Sequence, residues 1–214
     1  MRHCEGRASE MYLQYCVKGI AGQAGGREGI SKVQAEEVIT KHKGILSHWW
    51  RTKNGISPDE VADQLTETNL DRHLHDYERF GKASPFISLA CGAVERDKAV
   101  GRNWVYSAID TALMFATDSW SRPGALFFLW VMTGHRPAVP IRAVAEPVRD
   151  LHIYRRWSAF QLEGEVTAKI HIPANQIERV EWWDGAMNTG APIDQVRNPN
   201  YVEPDQLSNV RELF

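Results

Sequence analysis

Two glutamates separated by one residue, Glu163 and Glu165, are the side chains whose type and spacing most clearly suggest chemistry. Residues 161–172 around them alternate between polar and apolar types, which predicts a β-strand with one apolar face. Both carboxylates would then point to the same side, where like charges repel each other. Such a pair suits a reaction in which a sugar carbon becomes cationic. A solvated strand face is the other interpretation of the pattern.

The bulk composition limits the class of protein. The chain has 214 residues, which suits one domain, or one domain with a helical extension. Its formal net charge of −2 gives no global attraction to nucleic acid or membranes. Three widely spaced cysteines without a CxxC motif indicate neither a disulfide framework nor a zinc site, and a reducing, cytoplasmic location fits best. We expect no secretory signal, no membrane helix and no association with a membrane.

The first third of the chain predicts helices. Ser31 reads as the N-cap of a helix that continues to Trp50, and residues 57–60 (Ser-Pro-Asp-Glu) are a typical helix start. Residues 11–17 fit a short strand or a helical turn. The glycines that follow lack the spacing of a phosphate-binding loop, so we expect a flexible loop there. Residues 1–67 are therefore interpreted as a helical N-terminal extension.

The pattern changes at Asn69 and predicts a sheet. Residues 107–118 predict an amphipathic helix. The sheet and this helix together predict the α+β fold class with a mixed β-sheet. Residues 68–187 would form the main domain and residues 188–214 a C-terminal tail. The predicted strands are 70–74, 84–90, 125–133, 141–148, 162–172 and 177–183.

Arg72 is the next candidate for chemistry. If residues 70–74 form a strand, Arg72 shares a face with Leu70 and Leu74, and a guanidinium among leucines is costly unless it meets an anion. Either an internal carboxylate such as Glu165 or a bound ligand would supply that anion.

His73 and His75 would face the same way on that strand, a geometry fit for a metal ion. A metal needs a third ligand, and the sequence offers no matching cluster of histidine, cysteine or aspartate. Hydrogen-bonded or solvated histidines are the more common outcome, and we expect no metal.

Ser88 shares a strand face with Phe86 and Ala90, and a hydroxyl among apolar neighbours needs a hydrogen-bond partner. The partner is either local backbone or a carboxylate that the serine keeps ionised and correctly aimed. No GxSxG motif surrounds Ser88, so we do not expect a serine nucleophile.

Taken in chain order, these motifs resemble the mono-ADP-ribosyltransferases of the arginine–serine–glutamate (R-S-E) class. The resemblance covers residues 69–183 and rests on residues 70–73 (LDRH), 85–90 (PFISLA) and 162–166 (LEGEV). Residues 172–177 (IPANQI) also look like the turn that follows the catalytic strand in that family. The resemblance implies an ADP-ribosyltransferase-like sheet and NAD⁺ as substrate.

The family's roles can be placed on this sequence. Glu165 would be the catalytic glutamate, which binds the 2′-hydroxyl of the nicotinamide ribose and stabilises an oxocarbenium-like transition state. Glu163 would position or deprotonate the acceptor. Arg72 would hold the NAD⁺ diphosphate or the adjoining ribose by a forked contact. Ser88 would orient Glu165.

Two departures from the family pattern concern the NAD⁺ contacts. The family's usual Ser-Thr-Ser is Ser88-Leu89-Ala90 here, so the supporting hydrogen bonds would differ. His73 follows Arg72, and a sister class, typified by diphtheria toxin and the poly-ADP-ribose polymerases, uses histidine at that place. We therefore include His73 with Phe86 among the NAD⁺-binding residues, and whether Arg72 or His73 makes the first contact stays open.

The acceptor would be recognised by the connector over residues 150–160. Its basic and aromatic side chains suit contact with a target, and a Glu-x-Glu motif goes most often with a protein arginine. The same side chains suit nucleic acid, through phosphate contacts and stacking. The candidate acceptor-binding residues are Arg155, Arg156, Trp157 and Phe160.

The resemblance also suggests a biological setting: a bacterial toxin or phage-defence effector in the cytoplasm, with an antitoxin as a possible partner. Three rivals stand beside the transferase. One is an NAD⁺ glycohydrolase that uses the same site with water as acceptor. Another is a glycoside hydrolase, which neighbouring acids on one strand suit poorly because its two carboxylates must flank the bond. The last is a non-enzymatic interaction module.

Overall fold

The computed structural model describes residues 11–53, 57–90, 108–134, 145–147, 165–186 and 190–203. Its helices are α1 (Lys32–Thr40), α2 (His48–Arg51), α3 (Pro58–Gln64), α4 (Glu67–His75), α5 (Tyr77–Phe80) and α6 (Ala108–Ala116). Its strands are β1 (Met11–Ala21), β2 (Ile45–Leu46), β3 (Phe86–Ala90), β4 (Gly124–Gly134), β5 (Ala145–Pro147), β6 (Glu165–Lys169), β7 (His171–Ile172), β8 (Ile177–Trp183) and β9 (Asp194–Arg197). Short 3-10 turns lie at Gly81–Ala83 and Ala174–Gln176.

Seven of these strands form one sheet in the order β1-β3-β6-β5-β4-β8-β9. Because β1 also pairs along its whole length with β4, the first five strands of that order close into a ring. The described pairings in this sheet are antiparallel except for that of β4 with β5. β2 and β7 pair separately. The predicted α+β class with a mixed sheet is confirmed.

Apolar side chains form two cores on the two faces of the sheet. One core gathers the inward side chains of the ring with α1 and β2, and the other lies between the sheet and α6. α6 lies directly against the backbone of β1 and β4, which glycine permits. A Cβ built on Gly19 would lie 2.1 Å from the carbonyl oxygen of Ala112, and one on Gly124 would lie 2.1 Å from that of Ala116.

The N-terminal segment is not purely helical, as was expected of residues 1–67. Residues 11–21 form β1, a central strand, which settles their two interpretations in favour of a strand. The predicted helix from Ser31 to Trp50 is also wrong as one element. Ser31 does cap α1 in a capping box with Gln34, but the helix ends at Thr40. Positive φ angles at His42 and Gly44 then turn the chain into β2.

The predicted strand at residues 70–74 is wrong, because these residues belong to α4. Thr66 caps this helix by accepting a hydrogen bond from the backbone N–H of Asn69. His73 and Leu74 are its buried residues, while Arg72 is exposed. Apolar residues spaced by four positions fit a helix as well as a strand, and the cap decides between them here.

Residues 188–214 were expected to be a tail, yet part of that segment belongs to the sheet. β9 pairs with β8, and the buried side chain of Asn198 donates to the carbonyls of Ala174 and Ile177 at 2.8 and 2.9 Å. The division of the chain at residues 67 and 187 stays a prediction, but the sheet draws strands from both outer parts. No helix in the described ranges is long and apolar enough to cross a bilayer.

A backbone kink at Ile170 ends β6. This residue has a φ of 62°, a conformation that a β-branched side chain rarely adopts. Its N–H donates to the carbonyl of Pro85 at 2.8 Å, and its carbonyl accepts from the N–H of Ser47 at 2.7 Å. The kink moves the chain from the main sheet into the pairing of β7 with β2.

Substitutions at Ile170 test the strain at this kink. Glycine and alanine both remove the buried side chain, but alanine keeps a Cβ that costs about 1–2 kcal/mol in the left-handed region. The extra freedom of glycine in the unfolded chain costs about 0.5–1 kcal/mol. Urea unfolding should therefore show Ile170→Gly to be at least as stable as Ile170→Ala, by up to about 1 kcal/mol.

Ala168 of β6 is the matched control, since it is fully buried at an ordinary φ angle. At position 168 alanine should be more stable than glycine, so that Ala168→Gly is less stable than the wild type by about 0.5–1 kcal/mol or more. The same order at position 170 would contradict a strained backbone at Ile170.

Candidate functional site

The side chain of His73 lies at the centre of a buried polar group. It is 3% exposed, and both of its ring nitrogens contact serine hydroxyls. Nε2 lies 2.8 Å from Oγ of Ser88, and Nδ1 lies 2.7 Å from Oγ of Ser84. The Ser84 oxygen also accepts the backbone N–H of Phe86 at 3.1 Å. His73 of α4 is thereby joined to the start and the middle of β3.

Aromatic rings close the space around this imidazole. Tyr77 meets the ring of His73 edge to face, with 5.3 Å between ring centroids, and Phe86 lies tilted against it at 5.7 Å. Burial is the main reason that the pKa of His73 falls to about 3, and the nearby charges of Lys18 and His48 lower it further. His73 is therefore a neutral hydrogen-bonding group at physiological pH.

Charged side chains of other elements act electrostatically on His73 and on its neighbour His48 of α2. Lys18 of β1 acts electrostatically on both His73 and His48. Burial is the main cause that lowers the pKa of His48. The positive charges of Arg51, Lys18 and Lys82 lower this pKa further, while the negative charge of Glu28 opposes them. Such a concentration of positive charge attracts an anionic ligand.

Ser88 faces the strand that begins with Glu165. In the antiparallel pairing of β3 with β6, Ser88 lies opposite Thr167 and Ala90 lies opposite Glu165. Position 165 is therefore the diagonal neighbour of Ser88, at a backbone separation of roughly 7–8 Å that long side chains can bridge. Strand alternation assigns positions 165 and 167 to the same face.

Thr167 carries a polar atom without a partner. The residue is 1% exposed, and its Oγ1 has no hydrogen-bond partner among the described residues. An unpaired buried hydroxyl costs about 1–3 kcal/mol, so such an atom needs a reason to be kept. Its place opposite Ser88 makes it available to a ligand or to a side chain that enters this space.

Arg72 is not where the predicted strand would have placed it. On α4 it is exposed, and its guanidinium lies 4.2 Å from the centroid of the Phe80 ring. The prediction that Arg72 faces the core and meets an anion there is therefore wrong. Arg72 makes a cation–π contact with Phe80 instead. The neighbouring residue, His73, contacts Ser88 instead.

Several of the predicted site residues lie outside the described ranges. Glu165 is the first residue of β6 and is placed by its backbone pairing, whereas Glu163 precedes the described segment. The four predicted acceptor-binding residues also lie outside: Arg155, Arg156, Trp157 and Phe160. The roles assigned to all of these residues stay predictions.

The sequence interpretation overlooked Lys18, His48 and Ser84. Lys18 occupies a polar position within the otherwise largely apolar segment of residues 16–20, and this is a signal of function. The predicted strand 84–90 includes Ser84, but this residue lies before β3, and nothing in the sequence marks it as a partner of His73. His48 gives no sequence signal of its own, because its place depends on where the preceding helix ends.

The two neighbouring histidines do not converge on one point. His75 Nδ1 lies 3.0 Å from the carboxylate of Asp71 in the preceding helical turn, while both nitrogens of His73 contact serines. Within the described ranges, no three histidine, cysteine or acidic side chains come together as metal ligands would.

Comparisons with known proteins give distant structural likenesses only. No protein-family model and no curated protein matches the chain. Among solved structures, the chain is similar to EcPltA, with 15% identity, a TM-score of 0.48, and coverage of 92% of this chain and 90% of that one. It is also similar to a mutant of the catalytic domain of the mosquitocidal toxin from Bacillus sphaericus, with 12% identity, a TM-score of 0.41, and coverage of 91% and 60%. At these scores, neither likeness shows a family or an activity for this chain.

The burial of neutral His73 predicts a dependence of stability on pH. The pKa is about 3 in the folded chain and 6.5 for an ordinary histidine, so between these values only the unfolded state binds the proton. Stability from this residue is therefore full above pH 6.5 and is lost as the pH falls. The slope in this window is at most about 1.4 kcal/mol per pH unit.

Urea unfolding of the wild type and of His73→Gln at several pH values between 7 and 4 isolates this contribution, because all other groups are shared. The advantage of the wild type over the variant should shrink as the pH falls. An advantage that stays constant over this range would show that His73 is not buried in its neutral form.

Proposed function

We propose that this protein transfers ADP-ribose from NAD⁺ to a macromolecular acceptor, as a mono-ADP-ribosyltransferase. One observation carries the proposal: the pairing of β3 with β6 puts Ser88, fixed by His73, one diagonal step from Glu165. The sequence motifs pointed to a serine and a glutamate that act on the same substrate. Their adjacency across two strands 75 positions apart in the sequence supports that interpretation.

The charges around the site support a dinucleotide substrate. NAD⁺ carries a diphosphate, and Lys18, which acts electrostatically on both His73 and His48, provides positive charge near these histidines. Arg72 lies on the same helix as His73 and stays a candidate for contact with the NAD⁺ diphosphate or the adjoining ribose. The ring of Tyr77, which is 50% exposed, offers a flat apolar surface to a nucleotide, whereas Phe86 is buried.

In the proposed reaction, the bond between the nicotinamide nitrogen and C1′ of the ribose breaks, and nicotinamide leaves with the bonding electrons. The carboxylate of Glu165 accepts a hydrogen bond from the ribose 2′-hydroxyl and stabilises the cationic sugar. The acceptor atom then bonds to C1′ and loses its proton to Glu163. A fixed negative charge in a site that excludes water stabilises such a cation far more than one in bulk solvent.

The acceptor is proposed to be a protein arginine, with nucleic acid second. This order rests on the Glu-x-Glu motif and on the basic, aromatic connector over residues 150–160. A role as a toxin or phage-defence effector in the cytoplasm, with an antitoxin partner, stays a prediction of the same kind. The NAD⁺ glycohydrolase alternative needs the same residues and differs only in that water takes the place of the acceptor.

Replacing the catalytic carboxylate tests the mechanism. Glu165→Gln keeps the shape of the side chain and removes its charge, so nicotinamide release from NAD⁺ should fall by about 100-fold or more. Glu36→Gln is the matched control, because Glu36 lies on α1, outside this site, and its removal should leave turnover unchanged. Full turnover in Glu165→Gln would contradict the proposed mechanism.

Labelled NAD⁺ incubated with cell lysate, then divided between protease and nuclease treatment, separates the alternatives. Label lost on protease treatment identifies a protein acceptor, and label lost on nuclease treatment identifies a nucleic acid. Free labelled ADP-ribose without labelled macromolecules would select the glycohydrolase. Absence of NAD⁺ binding would favour the interaction module.

The positive charge of Lys18 gives a further prediction. Lys18→Gln should raise the KM for NAD⁺ by about tenfold, equivalent to about 1.4 kcal/mol, because a charge-assisted contact to the diphosphate contributes about 1.5–3 kcal/mol. The matched control is Lys41→Gln, since Lys41 pairs with Glu37 at the surface of α1. Equal KM values for the two variants would show that Lys18 does not bind the nucleotide.

A further inference from the structure

Ser84 completes a chain of hydrogen-bonded groups that ends at Ser88. The contacts run from the backbone N–H of Phe86 to Ser84, from Ser84 to Nδ1 of His73, and from Nε2 of His73 to Ser88. Ser84 is 1% exposed, so water cannot be assumed to satisfy its hydroxyl. The direction of each hydrogen bond therefore follows from what each atom can donate or accept.

The neutral ring of His73 carries one proton, on either nitrogen. If Nδ1 carried it, the Ser84 oxygen would accept two hydrogen bonds, and its own hydrogen would have no acceptor among the described residues. A buried hydroxyl without a partner costs about 1–3 kcal/mol. If Nε2 carries the proton, Ser84 donates to Nδ1, and the hydrogen left without an acceptor belongs to Ser88, which is only partly buried. The Nε2–H tautomer is therefore the favoured one.

The tautomer decides what Ser88 can offer to the site. With the proton on Nε2, the Ser88 oxygen accepts a hydrogen bond from Nε2–H. The hydrogen of the Ser88 hydroxyl then points away from the ring. With the proton on Nδ1, Ser88 would donate to Nε2 and would present only lone pairs toward β6. A carboxylate at position 165 is stabilised by a donor and repelled by lone pairs.

We propose that Ser84 is a positioning residue: its hydroxyl donates to Nδ1 of His73, fixes the Nε2–H tautomer, and so makes Ser88 a hydrogen-bond donor toward Glu165. The catalytic part of this inference rests on the proposed function, whereas the tautomer does not. Ser84 itself touches neither substrate nor Glu165 in this scheme. Its effect reaches the reaction through the direction of two hydrogen bonds.

Nuclear magnetic resonance of the ¹⁵N-labelled protein tests the tautomer without any activity. Long-range ¹H–¹⁵N correlations show which imidazole nitrogen carries the proton, and loss of one set of signals in His73→Gln identifies those of His73. The wild type should show a protonated Nε2 and a bare Nδ1 at pH 7. A protonated Nδ1 in the wild type overturns the proposal.

Kinetics of two variants test the consequence for catalysis. Ser84→Ala should mix the tautomers and lower kcat for nicotinamide release by about 10–100-fold, because a misaimed group is costly, while the KM for NAD⁺ stays nearly unchanged. Ser84→Thr keeps the hydroxyl and should restore both the tautomer and most of kcat. A loss of structure alone would not be expected to produce this combination.

Failure of the positioning role of Ser84 can be distinguished from failure of the proposed function. An unchanged kcat in Ser84→Ala overturns the positioning role and leaves the proposed function intact. A wild-type protein that releases no nicotinamide overturns the proposed function and the catalytic consequence, while the tautomer is still decided by the resonance measurement. If Ser84→Thr does not fold, the wild-type spectrum and Ser84→Ala carry the test.

Discussion

The pairing of β3 with β6 is the interaction on which the site depends. It brings together two segments about 75 residues apart in the chain and fixes which side chains share a face. A shift of one residue in this register would exchange the two faces of β6, and Thr167 would no longer lie opposite Ser88. The apolar residues Val166 and Ala168, buried in the ring, resist such a shift. Core packing therefore determines the geometry of the polar face.

Burial of His73 imposes a second constraint, because a polar ring inside the protein must have partners for both nitrogens. Ser84 and Ser88 supply them, and each belongs to the segment that opens or forms β3. α4 is thereby held to β3 by polar contacts. Because the cost of burial keeps the ring neutral, His73 contacts the two serines as a neutral hydrogen-bonding group and not as a cation.

The sequence predicted the sheet better than it predicted the site. Continuous or alternating apolar patterns, as in β4 and β6, depend on local burial and are visible in one segment. The predicted strand at residues 70–74 is wrong because apolar residues four positions apart satisfy both periods, and the Thr66 cap selects the helix. Lys18 and Ser84 could not be paired with His73 in advance, since their proximity follows from the closure of the ring and not from spacing.

Backbone hydrogen bonds also link α2 to the segments that flank β3 and β6. α2 carries His48 and Arg51 and is too short to hold its own position. Its cap residue Ser47 donates a backbone hydrogen bond to Ile170 at the end of β6, and the N–H of Trp49 donates to Ser84 at 3.1 Å. These backbone hydrogen bonds fix α2 to the residue that follows β6 and to Ser84, which precedes β3. Since the kink at Ile170 directs its carbonyl toward Ser47, its strain is part of the cost of holding α2 in place.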